Sequence, residues 1–393
     1  MRLHKLLADV VIENLREIFS NGKYADKVIS SSLKKNPKLG SRDRKFIAQA
    51  TYDIVRNYRL LYTSSGTKHF WPLLASYFIY KDIVLPDWKE FNGINANNIR
   101  KNLNLSQITF PVAQSVPDWL NAMGSDELQS VWEKEMTALN EEAKVIVRVN
   151  TLRTTPSQVG EIFKNYGFAF STHEEMPDAL ILQDRHNLFS LKEFKSGYFE
   201  VQDISSQKVA RFMQLDEKQK VIDACAGAGG KSLHIASLMK NKGRIISMDV
   251  RENKLEELKR RATRNGVFNI ETRVVNKESV QDLKFFADRL LLDVPCSGIG
   301  VLRRNPDAKW KLTPEKIEDI RKTQRQILCD YAVMLKPGGK LIYSTCSIFP
   351  SENQAQINSF LLGNPNFIKE EEKTIYPSEG FDGFYLCRLL RTE

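Results

Sequence analysis

Residues 341–350 read Leu-Ile-Tyr-Ser-Thr-Cys-Ser-Ile-Phe-Pro, a short apolar strand that ends in a small polar loop carrying Cys346. The residues before it, 336–339 (KPGG), predict a turn that no helix or strand continues through. Residues 289–298 (RLLLDVPCSG) have the same design, with Cys296 in the loop. Because reactive groups collect at the carboxyl ends of strands in α/β sheets, the two loops predict one site with two thiols.

From residue 203 onward, apolar strands and amphipathic helices alternate. This alternation predicts a mainly parallel, doubly wound sheet covered on both faces. The predicted strands are 220–224, 244–249, 271–275, 289–293 and 340–343. The predicted helices are 231–240, 252–265, 314–335 and 352–362. A last apolar strand, 381–390, is predicted at the antiparallel edge of the sheet.

Two smaller parts are expected before this sheet, so the predicted domains are 1–135, 143–203 and 204–393. The first is helical: Phe46, Ala50 and Ile54 recur at helical spacing, 92–107 form a polar linker, and a helix runs from Pro117 towards Asn140. The second alternates like a strand from Val145 and predicts a small α/β unit.

The bulk composition is that of a soluble globular protein, with 42% hydrophobic and 27% charged residues among 393. The formal net charge is +10 and the pI about 9.2, which favours an anionic partner such as nucleic acid. The chain has no apolar run near the roughly 20 residues that span a bilayer. Its first 19 residues have helical periodicity with acids, unlike a signal peptide. We therefore expect a cytoplasmic protein without membrane contact.

The five cysteines show neither metal-site spacing nor a close CxxC pair, and their number is odd. This pattern argues against a disulfide framework and a metal site, and for a reducing compartment. Cys329 and Cys387 are interpreted as small buried hydrophobic residues. Cys296 and Cys346 differ from them, because loop residues rather than apolar ones flank both.

A glycine-rich loop, 224–232 (ACAGAGGKS), joins the first predicted strand of the sheet to a helix. Small residues let the backbone approach a nucleoside, and the helix start offers free amides. Asp249 closes the next strand 22 residues after Gly227, where its carboxylate can accept hydrogen bonds from ribose hydroxyls. An adenosine-containing cofactor is predicted, either S-adenosylmethionine or a dinucleotide.

Other uses of this loop fit less well. A phosphate loop of the GxxxxGK[ST] type needs glycine where Cys225 stands. The dinucleotide pattern GxGxxG has Gly227 and Gly229 in place, but Ser232 occupies its third glycine position. A nicotinamide-dependent oxidoreductase therefore remains a weaker alternative.

The two cysteine loops match the chemistry of methyl transfer to carbon 5 of a pyrimidine. That carbon becomes nucleophilic only after a thiolate adds to carbon 6, and a base must later remove the carbon 5 proton so that the thiol can leave. The reaction needs a nucleophilic cysteine, a carboxyl group and a second proton-handling group. Cys346, Asp293 and Cys296 supply these residue types at neighbouring strand ends.

The motifs that carry these residues resemble the Nop/Sun family of RNA cytosine-5 methyltransferases, and within it the bacterial enzymes that modify small-subunit ribosomal RNA. The cofactor loop, the proline-cysteine motif and the threonine-cysteine motif of that family resemble residues 223–232 (DACAGAGGKS), 293–310 (DVPCSGIGVLRRNPDAKW) and 343–353 (YSTCSIFPSEN). Residues 199–207 (FEVQDISSQ) and 148–153 (RVNTLR) resemble the segment leading into its catalytic domain and the start of its small RNA-binding subdomain.

The resemblance implies a Rossmann-like S-adenosylmethionine-dependent domain and assigns roles. Cys346 would attack carbon 6, Cys296 would assist release, Asp293 would serve both cofactor and base, and Lys231 would order the site. The implied cofactor-binding residues are Cys225, Ala226, Gly227, Ala228, Gly229, Gly230, Lys231, Asp249, Glu278 and Asp293. In DNA cytosine-5 methyltransferases the proline-cysteine thiol attacks instead, so two motifs point to RNA.

Two departures from the family pattern stand out. The family's cofactor loop usually has proline where Ala228 stands. Its aspartate near the adenine is absent from the segment after the third strand, which reads Asn276-Lys277-Glu278. Glu278 is the predicted replacement, with Asn276 as the alternative.

The N-terminal part resembles, more distantly, the antitermination-factor NusB-like domain of the bacterial enzymes, and is interpreted as an RNA-docking domain. Arg303, Arg304 and Lys309, which follow Cys296 in sequence, are predicted to hold phosphates. Ribosomal RNA is the favoured partner, with transfer RNA as an alternative. A non-catalytic RNA-binding or ribosome-assembly factor is a further alternative, and no protein partner is evident.

Overall fold

A computed structural model describes residues 3–104 and 108–393. The chain forms two compact units: the described residues up to 141 together with 302–314, and residues 142–301 together with 315–393. This division differs from the predicted ranges in two respects. The short segment 302–314 belongs with the N-terminal unit, and the small α/β part shares one unit with the large sheet.

The N-terminal unit is helical, as predicted. Its helices are α1 (Lys5–Phe19), α2 (Ala25–Lys35), α3 (Ser41–Arg56), α4 (Tyr58–Ser65), α5 (Phe70–Tyr80), α6 (Ala96–Asn102), α7 (Phe110–Ala113), α8 (Asp118–Leu128) and α9 (Trp132–Leu139). Ile47, Ala50 and Ile54 are fully buried, so the periodicity of α3 marks its core face. Phe46 packs at the margin of that core.

Two predictions for this unit need correction. The helix expected from Pro117 towards Asn140 is two helices, because Gln129 adopts a left-handed φ of 50° between α8 and α9. The expected linker 92–107 contains α6, and its residues 105–107 lie outside the described residues. Residues 1 and 2 of the predicted N-terminal helix also lie outside them. No helix in the described ranges is long and apolar enough to cross a membrane.

The second unit begins with the predicted small α/β part. Its strands are β1 (Val145–Val149), β2 (Phe170–Thr172), β3 (Ala179–Leu182) and β4 (Phe199–Val201), and its helices are α10 (Pro156–Asn165) and α11 (Lys192–Lys195). The strands pair antiparallel in the order β2-β3-β1-β4. Phe163 of α10 packs against Phe199 with ring centroids 5.4 Å apart, in the same buried cluster as Val147, so α10 covers one face of this sheet.

The rest of the unit is a doubly wound sheet of seven strands in the order β10-β11-β9-β8-β5-β6-β7. The strands are β5 (Lys220–Asp223), β6 (Arg244–Asp249), β7 (Ile270–Val274), β8 (Ala287–Asp293), β9 (Leu335–Thr345), β10 (Phe367–Ile375) and β11 (Phe384–Arg391). The helices of this part are α12 (Ile204–Phe212), α13 (Gly230–Leu238), α14 (Glu252–Asn265), α15 (Lys277–Gln281), α17 (Pro314–Tyr331) and α18 (Gln354–Gly363); α16 (Ala308–Lys311) belongs to the N-terminal unit.

β5 to β9 pair in parallel, which confirms the predicted Rossmann-like class. The last strand is antiparallel as predicted, but it lies between β9 and β10 rather than at the edge. The reason is burial: residues 384–389 are all buried, as in an interior strand. The edge strand is β10, whose exposed run 369–373 (KEEEK) is typical of edges. Residues 336–339 form an irregularity inside β9 rather than a turn before it.

Candidate active site

The two predicted cysteine loops leave neighbouring strands of the large sheet. β8 and β9 run parallel, and Asp293 pairs in register with Ser344 at their carboxyl ends. The loops therefore begin side by side, and the Sγ atoms of Cys296 and Cys346 lie 3.2 Å apart. The structure brings both predicted thiols into one site.

The main chain of the two loops is also in direct contact. The amide of Gly300 donates to the carbonyl oxygen of Cys346 at 2.9 Å, and the amide of Gly383 donates to the carbonyl oxygen of Gly300 at 2.7 Å. A Cβ atom on Gly300 would lie 2.1 Å from the Gly383 oxygen. Only glycine fits at position 300, and its absence of a side chain lets the main chains meet.

The two thiols differ in their electrostatic surroundings. The pKa of Cys296 is raised well above its ordinary value, first by its hydrogen bond to the sulfur of Cys346, then by burial and by the charges of Cys346 and Glu352. Cys296 therefore keeps its proton at neutral pH. The ammonium group of Lys231 interacts electrostatically with Cys346.

Lys231 and Asp293 form an ion pair next to the thiols. The Nζ atom of Lys231 donates to Oδ2 of Asp293 at 2.5 Å, and the Ser344 hydroxyl donates to Oδ1 of Asp293 at 2.7 Å. Burial lowers the pKa of Lys231, but the charge and hydrogen bond of Asp293 outweigh it, so the pKa is raised. Lys231 is therefore a permanent cation that orients the Asp293 carboxylate.

The predicted cofactor loop turns sharply between β5 and α13. Gly227 and Gly229 have φ angles of 53° and 82°, the left-handed region that glycine reaches without strain. A Cβ on Gly227 or Gly230 would meet no atom within 4 Å, so open space borders the loop backbone there. A nucleoside cofactor can approach the main chain at these positions.

Asp249 lies at the end of β6, beside this loop. Its Oδ2 accepts from the amide of Gly227 at 2.9 Å, and its Oδ1 accepts from the amide of Arg251 at 2.9 Å. The Nε atom of Arg251 also donates to Oδ1, at 3.5 Å. Because a carboxylate has about four acceptor positions, one remains for another donor. The structure thus places Asp249 at the loop, as the sequence predicts for a ribose-binding acid.

Arginines from two other elements form hydrogen bonds with carbonyl oxygens of the glycine-rich loop. Arg148 of β1 donates to the carbonyl oxygen of Gly230 at 2.9 Å, and Arg261 of α14 donates to that of Ala228 at 2.7 Å. The pKa of Cys225 is raised well above its ordinary value, first by burial and then by the charges of nearby aspartates. Cys225 is therefore a neutral, compact part of the loop.

The predicted adenine contact lies after β7, whose end is adjacent to β6: the amide of Val275 donates to the carbonyl oxygen of Asp249 at 3.1 Å. The Asn276 side chain caps α15 by accepting from the amide of Ser279 at 2.6 Å. Glu278 is exposed in the first turn of that helix. The choice between Glu278 and Asn276 stays a prediction.

Two buried carboxyl groups of this region have no assigned role in the sequence analysis. Asp223 ends β5, and burial raises its pKa to about 7; the Ser232 hydroxyl donates to it at 2.6 Å. Glu352 follows the Cys346 loop and is fully buried. Asp223 lies in the motif 223–232 and Glu352 in the motif 343–353. The neighbouring residues in sequence do not show whether such an acid is buried or exposed to water.

The basic segment after Cys296 does not serve as predicted. Lys309 is 1% exposed, and its Nζ donates to the carbonyl oxygen of Arg56 at 2.7 Å. Arg303 is 4% exposed, and its Nε donates to the carbonyl oxygen of Ala138 at 2.7 Å. Both side chains form buried hydrogen bonds within the helical unit, so the prediction that they hold phosphates is wrong. Arg304 is partly exposed, and its predicted role remains open.

Comparisons with known proteins show which families and folds this chain is similar to. A family model described as 16S rRNA methyltransferase RsmB/F matches residues 210–390. A second model, the ferredoxin-like domain of RsmF/B-like methyltransferases, matches residues 116–188. The crystal structure of PH0851 has the same fold, with a TM-score of 0.83, 23% identity and 97% of each chain covered.

Two curated relatives align over long stretches. A probable ribosomal RNA small subunit methyltransferase B of Synechocystis is 29% identical over 437 residues, which cover 95% of this chain and 97% of that protein. Ribosomal RNA small subunit methyltransferase B of Salmonella arizonae is 32% identical over 285 residues. That alignment covers 70% of this chain and 66%, just under two thirds, of the Salmonella protein. The chain therefore carries the methyltransferase domain and the ferredoxin-like domain described for the RsmB/F ribosomal RNA methyltransferases.

Proposed function

We propose that this protein transfers a methyl group to carbon 5 of a cytosine in RNA, with small-subunit ribosomal RNA as the favoured target. The observation that carries this proposal is the 3.2 Å separation of the Cys296 and Cys346 sulfur atoms. The Lys231–Asp293 pair beside them supplies the carboxylate and the cation. The names of the curated relatives support the choice of RNA.

S-adenosylmethionine is the cofactor, and when bound it supplies the electrophilic methyl group. The open space along the backbone at Gly227 and Gly230 fits a ligand of this kind. Residues 225–231 would hold its methionine end, Asp249 its ribose hydroxyls, and Glu278 or Asn276 its adenine.

Cys346 begins the proposed reaction. Its thiolate forms a bond to carbon 6 of cytosine, and the electron pair of the ring's 5,6 double bond moves so that carbon 5 becomes nucleophilic. The charged Lys231–Asp293 pair beside the thiols would stabilise this shift of charge. Carbon 5 then accepts the methyl group, and the ring is held as a covalent Cys346 adduct.

Release reverses the addition. Asp293 as a carboxylate takes the proton from carbon 5, the 5,6 double bond forms again, and the bond from carbon 6 to the Cys346 sulfur breaks. Cys296 is protonated and 3.2 Å from that sulfur, so it can donate to the departing thiolate. The opposite assignment, with Cys296 as nucleophile, is the arrangement of the DNA enzymes and is the competing mechanism.

The target cytosine has to leave its stack to reach Cys346, because carbon 6 is inaccessible within a helix. Loops and single strands are therefore the expected substrates. Transfer RNA is the alternative target, and a non-catalytic RNA-binding or assembly factor is the alternative function.

The test incubates the full chain with labelled S-adenosylmethionine and total RNA from cells that lack the enzyme. Wild type is expected to label 5-methylcytosine in small-subunit ribosomal RNA. Cys346→Ala should transfer nothing, whereas Cys296→Ala should accumulate a protein–RNA adduct that survives denaturing electrophoresis.

Each other outcome selects an alternative. Label in transfer RNA would change the target, and an adduct that needs Cys296 would exchange the roles of the two thiols. RNA binding without any methyl transfer by wild type would favour the assembly factor. Cys329→Ala is the matched control, because this cysteine lies on α17, outside both cysteine loops. Cys329 is exposed, so the prediction that it is buried is wrong.

A further inference from the structure

Glu352 lies fully buried in a short helical turn, residues 350–352, that follows the Cys346 loop. Its Oε1 accepts from the amide of Ser297 at 2.8 Å and from the side-chain amide of Gln324 at 3.1 Å. Its Oε2 accepts from the hydroxyl groups of Ser297 and Ser347, each at 2.5 Å. All four acceptor positions of the carboxylate are therefore in use.

The donors belong to both cysteine loops. Ser297 follows Cys296, and Ser347 follows Cys346. Gln324 of α17 also donates to the carbonyl oxygen of Pro295 at 2.9 Å, so it ties the residue before Cys296 to the same carboxylate. One buried group thus joins the neighbours of both thiols.

The strength of this arrangement follows from burial. A carboxylate that is removed from water is costly unless hydrogen bonds satisfy it, and hydrogen bonds to an ionised group are the strong ones. If the carboxylate were absent, the buried amide of Ser297 would lose its acceptor. Gln324 would keep only the Pro295 carbonyl oxygen. The hydroxyl groups of Ser297 and Ser347, 3.3 Å apart, would keep each other. The two loops are consequently held at one separation rather than free to move independently.

The charge of Glu352 also acts on the site. It is one of the causes that raise the pKa of Cys296, after the hydrogen bond to Cys346, burial and the charge of Cys346. The carboxylate therefore helps to keep the proton on Cys296 as well as holding its loop.

We propose that Glu352 is a positioning residue that holds the Cys296 and Cys346 loops together and so sets the distance between the two sulfur atoms. Its catalytic meaning rests on the proposed function, because release of the product needs both thiols at this distance. The positional claim is independent of RNA and cofactor.

A disulfide trap tests the position without any substrate. Diamide takes two electrons and two protons from the two thiols, so that an S–S bond forms between Cys296 and Cys346 while diamide becomes its hydrazine. The rate of this bond, followed by peptide mass mapping, reports how often the sulfur atoms meet.

Glu352→Ala is expected to slow the trap at least about 10-fold, because displacement of a reacting group by about 1 Å can cost two orders of magnitude. Glu352→Gln keeps the size of the side chain. Its amide nitrogen can donate to the hydroxyl oxygens of both serines, which then act as acceptors, so the trapping rate should stay within about twofold of wild type. Ser347→Ala removes one donor and should slow the trap even where Glu352→Ala fails to fold.

Glu200→Ala is the matched control. Glu200 is another buried carboxylate, 4% exposed, but it accepts from Arg261 and Asn265 of α14 rather than from the cysteine loops. This variant should lose stability without slowing the trap. Slow trapping in Glu200→Ala would mean that general loosening explains the effect and would overturn the proposal.

The methylation assay supplies a second readout. Glu352→Ala should lower kcat about in parallel with the trapping rate and leave KM for S-adenosylmethionine unchanged. Trapping at the wild-type rate in both Glu352→Ala and Ser347→Ala would overturn the proposal. A wild-type protein that transfers no methyl group would refute the proposed function alone, because the trap needs neither RNA nor cofactor.

Discussion

The sulfur atoms of Cys296 and Cys346 are 50 positions apart in sequence and 3.2 Å apart in space. They meet because β8 and β9 are adjacent and parallel, and the loops leave both strands at the same edge of the sheet. Each sulfur atom is consequently the hydrogen-bond partner of the other.

This contact predicts how Cys296 titrates. The pKa of Cys296 is raised from 9.0, with the hydrogen bond to Cys346 as the first cause. Cys346→Ala removes that bond and the neighbouring charge, so the pKa of Cys296 should fall. Alkylation of Cys296 by iodoacetamide, measured against pH by mass spectrometry, should reach half-maximal rate at a lower pH than in wild type. An unchanged or higher midpoint would contradict this expectation.

The Lys231–Asp293 pair should stabilise the folded state in a pH-dependent way. Its side chains are only 13% and 26% exposed, so loss of one partner should cost about 1–3 kcal/mol, less than for a fully buried pair. The pKa of Lys231 is raised above 10.5, so the contribution is present at neutral pH and is lost as pH rises beyond that value.

Chemical unfolding of Lys231→Met, Asp293→Asn and the double variant measures this contribution. The double variant should lose less free energy of unfolding than the sum of the single ones. The coupling should be equal at pH 7 and pH 9. Strict additivity of the two single effects would show that the pair contributes nothing to stability.

Asp223 predicts a loss of stability in the same direction of pH, but in a lower pH range than the Lys231–Asp293 pair. Burial raises its pKa from 3.8 to about 7, so the folded protein binds a proton there that the unfolded chain has lost. Stability should therefore fall as pH rises from about 4 to 7. Asp223→Asn cannot ionise, and its free energy of unfolding should fall less than that of wild type over this range. Parallel stability curves for the two proteins would exclude a raised pKa.

The buried position of Lys309 predicts a structural effect in place of RNA contact. Its Nζ donates to Arg56 and to Oδ1 of Asn140, at 2.7 and 3.1 Å. Lys309→Met should reduce thermal stability because those acceptors lose a partner. The dependence of RNA affinity on salt should not change, whereas loss of a true phosphate contact lowers the slope by about 1.

Arg304→Ala provides the comparison for this experiment, because Arg304 is partly exposed in the same segment. Binding of RNA by the full chain is titrated at several salt concentrations for both variants. A reduced salt dependence of RNA affinity in Lys309→Met would show that Lys309 contacts RNA after all.

Part of the fold and of the candidate site can be predicted from the sequence. The turn at 227–229, the acid at Asp249 and the two cysteine loops each depend on a few neighbouring residues, so local patterns predict them. The loops also predict a shared site, because parallel strands present their carboxyl ends at one edge. The apolar run 381–390 predicts a strand, but its predicted position at the edge is wrong, because residues 384–389 are buried on both faces and such a run belongs inside a sheet.

The sequence by itself determined the alternation of strands and helices, the glycine-rich loop and the two cysteine loops, because backbone propensity and periodicity act over short distances. Only the tertiary structure decided that Glu352 joins the two cysteine loops, that Lys309 is buried in the helical unit, and that β10 rather than β11 forms the edge. These facts depend on which distant segments meet. The sequence shows that a residue is a glutamate or a lysine, but it does not show whether water or a buried group forms hydrogen bonds with that side chain.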